Sequence, residues 1–439
     1  MSIQNKVLRV GFQYTFSSGK RGNSRGQSRL LKPGLRRDVV RSRSREDPKV
    51  VPDPKREMYR QQLLLPSLRK QMFPGRATRT IPDAWFQRRH DRVFSVGLLV
   101  PTSGSAGIWG PSTIACARLA AEEINRGGGL LGQELSLRVV DAADEVGDLT
   151  ELTEQTLDGA EIDAIVGMHI SAVRQKLRGS VRGRVPYVYT PLYEGGERTP
   201  GVYAIGETPQ EQLRPAIRAL AERFRLRRWA LIGNDYVWPR VSHALARAYI
   251  REVGGEVVDD LYLPFGMTDF GAVVARVARL KADGLLLSLV GQDAVGFNRE
   301  FGAATGWARG IVRLSCAIEE NGLLAMGADN TDGLYAAAAY FAALSTDANL
   351  AFKERYYGLF GDRAPTLNAL GQSTYEGMHF LAALIERSFS RKRPWSMPGA
   401  EPIRYRSARD AVYLDNDCKL GPVYLAQAEG HLFQVVQRL

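Results

Sequence analysis

Residues 166–197, VGMHISAVRQKLRGSVRGRVPYVYTPLYEGGE, decide the fold. An apolar strand runs out at Gly167, Met168 and His169, and a helix opens at Ser171. A second strand ends at Tyr189 and Thr190 in an aromatic, glycine-punctuated loop. Two strand ends and one helix start therefore face a common crevice, the place where open parallel sheets collect ligands. Ser171 has two readings. It can offer its hydroxyl, with the first-turn N–H groups, to an anion or carbonyl oxygen, or it can simply cap its helix, as Ser at such a position usually does. His169, alone at a strand end, reads as a polar lining group rather than a general base, because a base needs a nucleophile within hydrogen-bond reach.

The same rhythm extends in both directions. Towards the N-terminus, FSVGLLV (94–100) is a buried-strand run, followed by the loop PTSGSAGIWGPS and a helix over 113–126 with Ile114, Ala117, Ala121 and Ile124 on one face. Towards the C-terminus, strands at 229–235, 255–263, 284–291, 311–317 and 333–340 alternate with helices at 209–225, 240–253, 270–281 and 294–304. Two helices, 347–361 and 366–388, and a hairpin turning at Glu429 and Gly430 complete the chain. Strands alternating with helices mean right-handed βαβ units, so the fold class is α/β with parallel sheets flanked by helices. One sheet of so many strands would be unusual, which divides the chain into two lobes.

The formal charge of +12 over 439 residues is unevenly placed: residues 1–92 hold 23 Lys and Arg against 7 Asp and Glu, and the remainder 36 against 40. The first 92 residues are basic and of low complexity, without hydrophobic period, and read as a disordered tail. A nucleic-acid arm and an upstream extension that is not translated are the other readings; no recognition-helix pattern supports nucleic acid as a partner. Cys116, Cys316 and Cys418 lack disulfide or metal-ligand spacing. Neither a secretory leader nor a run long enough to cross a bilayer stands in the sequence, which leads to the expectation of a cytoplasmic protein. A misassigned start would make it periplasmic or extracellular.

Catalytic motifs are missing. The first loop has Gly104, Gly107 and Gly110 in the spacing G-x-x-G-x-x-G instead of the dinucleotide fingerprint. Residues 103–107 miss the nucleophile elbow by one position, and Glu319 and Glu320, adjacent in sequence, would point apart on a helix. The expectation is a binding protein with no enzymatic activity, cofactor or metal.

From about Val93 onward the chain resembles the type I periplasmic-binding-protein family. The resemblance rests on VGLLVPTSGSAGIWGPS, ARLAAEEINRGGGLLG, VGMHIS, YTPLYEGGERTPGVY, IGNDYVWPR, AAAAYF and GPVYLAQA, in that order. Within the family it looks closest to amide-sensing regulators of amidase operons and to short-chain amide and urea binding proteins. The resemblance implies two Rossmann-like lobes joined by three hinge strands, near Gly206, Tyr340 and Ala411, that close around a small polar ligand. One lobe would comprise 93–205 plus 340–410, the other 206–339 plus 411–439. It implies that Ser171 hydrogen-bonds the ligand and that His169 stands where the amide sensor has a tyrosine. Tyr189 and Tyr193 match aromatic positions of the YTPLYEG loop, and Tyr236 and Trp238 match the aromatic pair brought down by the second lobe. The pocket threonine of that loop aligns with Pro191, leaving Thr190 displaced by one, and Trp109 of the first loop completes the candidate set.

Asp293 is the remaining candidate. It could pair with the ammonium of an amino-acid ligand, since an unpaired buried charge is costly, or cap the helix that follows. The neutral, aromatic character of the other candidates favours a planar amide or urea-like ligand. The function expected is a ligand sensor acting through a regulatory protein partner. The alternative is the substrate-binding component of an ABC importer for amides, urea or branched-chain amino acids, with the permease as partner.

Overall fold

The computed structural model describes residues 93–143, 149–304, 310–390, 402–405, 407–414 and 419–439. The basic stretch 1–92 lies outside these residues. The first sheet has five strands, β1 (Phe94–Val100), β2 (Leu135–Asp141), β3 (Ala164–Gly167), β4 (Tyr187–Tyr189) and β5 (Val202–Ala204), in the order β2-β1-β3-β4-β5. Every pairing in it is parallel. Parallel strands need crossovers, and the helices α1 (Gly110–Arg126), α2 (Leu149–Asp158) and α3 (Ser171–Val181) supply them. β3 and β4 are buried along their whole length, as expected of strands covered on both faces.

The second sheet has seven strands. β6 (Arg228–Asn234), β7 (Glu256–Leu263), β8 (Gly284–Ser288), β9 (Val312–Ser315) and β10 (Leu334–Ala338) are parallel, and the hairpin β14 (Tyr424–Glu429) and β15 (Leu432–Arg438) adds to β10 antiparallel. Its order is β15-β14-β10-β9-β8-β6-β7. The interleaved helices are α4 (Pro209–Phe224), α5 (Val237–Glu252), α6 (Gly271–Leu280), α7 (Gly291–Ala303) and the short α8 (Glu320–Met326). After β10 the chain returns to the first sheet through α9 (Asp347–Phe360) and α10 (Ala369–Ser390). A small antiparallel sheet of β11 (Pro402–Ile403), β12 (Val412–Leu414) and β13 (Lys419–Leu420) precedes the final hairpin.

Two features position the cleft. α10 packs against α1, and glycines allow its approach: a Cβ on Gly371 would lie 2.2 Å from Ser112 Oγ, and one on Gly377 2.3 Å from Thr190 Cγ2. At the exit from the first sheet, Gly206 passes so close to the Pro191 carbonyl that a Cβ would sit 1.8 Å from its oxygen. Any larger residue there would push apart the loop after β4 and the first crossing between sheets. Nearby, buried Arg409 donates to Glu207 Oε1 (2.9 Å) and to Gln372 Oε1 (2.7 Å), tying the last crossing to the first.

Candidate functional site

The carboxyl ends of β3 and β4, the start of α3 and the loops after β6, β8 and β9 converge on one cleft. Trp109, His169, Ile170, Ser171, Tyr189, Pro191, Leu192, Tyr236, Trp238, Val290, Ala317 and Leu370 line it. The space is about 280 Å³, including the part open to solvent. Among the described residues, none that lines it is Asp, Glu, Lys or Arg. Six of the nine residues singled out in the sequence meet here: Trp109, His169, Ser171, Tyr189, Tyr236 and Trp238.

Ser171 is the first residue of α3 rather than its cap. Ile170 holds the cap position, and no side chain accepts a bond there. Among the described residues the Ser171 hydroxyl has only a long 3.4 Å contact, to the Tyr189 hydroxyl, and the N–H groups of Ser171 and Ala172 have no acceptor within the helix. The positive end of the helix dipole thus faces the cleft with donors to spare. Trp238, also in the lining, has its Nε1–H buried without an acceptor among the described residues. Tyr236 lies 6.3 Å from Trp238 between ring centroids and 5.3 Å from Phe265.

His169 is satisfied by the protein on both nitrogens. Nδ1 is 3.1 Å from the Ile170 carbonyl, which can only accept, so Nδ1 carries the proton. Nε2 then accepts from the Tyr187 hydroxyl at 2.9 Å. Burial, aided by the nearby Arg174 cation, lowers its pKa to about 4. The ring is a neutral wall, and its carbonyl fixes Tyr189 by accepting that hydroxyl at 2.7 Å.

The other three candidates stand outside the cleft lining. Thr190 turns toward α10, with contacts to the Gly167 carbonyl (3.4 Å) and Thr374 (3.5 Å). Tyr193 packs edge-on behind Tyr189 at 6.4 Å. Asp293 is neither a cap nor a cleft residue. α7 starts at Gly291, with Val290 at the cap position, so Asp293 falls in the first turn. Its carboxylate accepts from Asn234 Nδ2 (2.6 Å) and the Gly266 amide (3.1 Å), joining the end of β6 to the loop before α6.

Two residues that matter escaped sequence reasoning. Arg174, one turn beyond Ser171, is 1 % exposed and donates to Glu194 (2.6 Å) and Glu197 (3.0 Å). Its guanidinium lies 4.9 Å from the Tyr189 ring centroid and 5.1 Å from that of Tyr193, so it stiffens the aromatic wall from behind. The i, i+3 spacing of Ser171 and Arg174 puts both at one end of α3, but nothing local announces the two glutamates. Glu319, which a helical reading had pointing away from Glu320, sits at the cap position of α8 and accepts from Trp109 Nε1 at 3.1 Å. Burial first, then the neighbouring Glu320, push its carboxyl up to about 8.

Among the described residues, no group of three or more His, Cys, Asp or Glu could hold a metal ion, and no helix is long and apolar enough to cross a membrane.

Residues 94–416 match a family model described as periplasmic binding protein. A Leu/Ile/Val-binding protein of Rhizobium johnstonii is 25% identical over 194 residues, 43% of this chain and 52% of that relative, so the match spans about half of the relative's length. The fold is that of an ABC-transporter solute-binding protein from R. palustris solved with 4-hydroxybenzoate (TM-score 0.70, 18% identity, covering 79% of this chain and 96% of that one). It is also that of a branched-chain amino acid transporter substrate-binding protein from Streptococcus pneumoniae, solved with isoleucine (TM-score 0.65, 15% identity, 79% and 100% covered). These relatives are binding proteins, not enzymes. The match also corrects the expectation of a cytoplasmic protein. That expectation rested on a missing leader, and an absence weighs less than a periplasmic family matched across 94–416.

Proposed function

The chain belongs to the periplasmic binding protein family, and from that premise we propose that it is the solute-binding component of an ABC importer, working in the periplasm. Its ligand is a small solute with an acceptor head, carboxylate or amide, and a planar or branched apolar body. The observation that carries this reading is the start of α3. It brings to an uncharged cleft a Ser hydroxyl that does not cap, held only by a long contact to Tyr189, and two helix N–H groups with no acceptor inside the helix. Such donors recognise oxygen, while Trp109, Tyr236 and Trp238 offer faces to the body of the solute.

The division suggested by the resemblance, 93–205 with 340–410 against 206–339 with 411–439, fits this role. Each part would contain one of the two large sheets, and the three crossings near Gly206, Tyr340 and Ala411 would serve as hinges. The relatives favour an importer component over a sensor with a regulatory partner. A short-chain amide remains within the ligand class because no charged side chain lines the cleft. A zwitterion fits less well, since its ammonium would find no carboxylate there.

A thermal-shift comparison of the full chain with 4-hydroxybenzoate, propionamide, urea and leucine tests this. A solute held at a hundred times its dissociation constant stabilises by about 2.7 kcal/mol. The expected result is a rise with 4-hydroxybenzoate or propionamide and none with leucine. A rise with leucine alone would restore an amino-acid carrier.

A further inference from the structure

We propose that residues 101–109 form the latch of the cleft, and that Ser105 and Gly291 are positioning residues that set Trp109 over the solute. The inference rests on the cleft being a solute site and goes beyond it in saying what holds the cleft shut.

The loop is rooted in the first sheet and docked on the second. At its root, Asp141 at the end of β2 accepts from the Thr102 amide (2.9 Å) and the Ser103 hydroxyl (2.7 Å). At its tip, the Ser105 hydroxyl donates to the Val290 carbonyl and accepts from the Asp293 amide, both at 3.3 Å. That amide is one of the first-turn donors of α7, a helix whose own cap residue, Val290, has no side chain able to accept it. Ser105 therefore supplies from the other sheet the bond that a Ser cap ordinarily supplies from the preceding residue.

Gly291 makes the docking possible. Its φ is +56°, and a Cβ there would lie 2.1 Å from the Ser105 carbonyl oxygen and 3.1 Å from Ala106 Cα. Further along the loop, Asn321 Nδ2 donates to the Ile108 carbonyl at 2.9 Å, and Trp109 donates to Glu319. Parting the sheets thus uncaps α7 and withdraws Trp109 in the same movement.

The test is amide hydrogen exchange on the full chain, comparing wild type with Ser105→Ala, Ser105→Thr and Gly291→Ala. Loss of a cap predicts about tenfold faster exchange at the Asp293 amide in Ser105→Ala, with the amides of β8 unchanged and the melting temperature lowered by only about 2–4 °C. Gly291→Ala should show the same local change, and Ser105→Thr, which keeps the hydroxyl, should behave as wild type. Equal exchange at Asp293 in wild type and Ser105→Ala overturns the proposal. Faster exchange spread through β8 and α7 also overturns it, by showing a loosened second sheet instead of an undone latch.

This readout does not require knowing the solute. If none of the four solutes binds, the solute reading falls and the exchange result still decides the latch. Where one binds, Ser105→Ala should raise its dissociation rate about tenfold with little change in association rate, as loss of a cap formed only on closure implies. An unchanged dissociation rate would refute the latch.

Discussion

Arg174→Met is expected to lower the free energy of unfolding at pH 7 by about 3–5 kcal/mol, the cost of breaking a buried ion pair from one side. The Arg174, Glu194 and Glu197 side chains are 2%, 7% and 1% exposed, so neither carboxylate can recover the loss from water. Methionine fills much of the volume but leaves both glutamates charged and without their cation. The variant Arg174→Met/Glu194→Gln/Glu197→Gln should therefore regain part of the stability, because the uncompensated charges are gone. Urea unfolding of the single and triple variants measures this. A cost below about 1 kcal/mol, the range of exposed pairs, would mean that the cluster is solvated and does not stiffen the Tyr189 and Tyr193 wall.

Glu319→Gln is expected to make the chain more stable at pH 9 by roughly 4–5 kcal/mol and to change it by less than about 1 kcal/mol at pH 5. Burial and Glu320 raise the folded-state pKa of Glu319 to about 8, from an ordinary value of 4.5. A carboxyl raised in this way contributes stability that is fully present below about pH 4.5 and is lost as pH rises through 8, because the folded state holds a proton that the unfolded state has released. Gln mimics the protonated acid and still accepts from Trp109. Glu320, raised by burial to about 7, titrates in both proteins and so largely drops out of the comparison. Melting curves of both proteins from pH 5 to pH 9 provide the check. Parallel curves would show that Glu319 is ionised in the fold throughout.

The α/β architecture was legible because buried parallel strands are short apolar runs between amphipathic helices, and because glycines mark the turns. β5 escaped notice: Val202–Ala204 is three residues long, too short for any period, and is a strand only because β4 pairs with it. The cleft was legible wherever a candidate sits at a strand end or helix start, as Ser171 and His169 do. Thr190 and Asp293 show the limit. Thr190 lies beside two lining positions and Asp293 three residues beyond one, yet side-chain direction is set by partners distant in sequence, Thr374 for one and Asn234 for the other. Glu319 is the converse case, since its link to Trp109 spans 210 positions and has no local signal.

The central claim is that the donors at the start of α3 hold the solute. Calorimetry of wild type and Ser171→Ala, using whichever of the four solutes gives the largest thermal shift, tests it most directly. Removing a hydroxyl bonded to a charged or strongly polar head predicts one-site binding weakened at least about tenfold. Binding that is identical in the two proteins, or absent with all four solutes, would contradict the account.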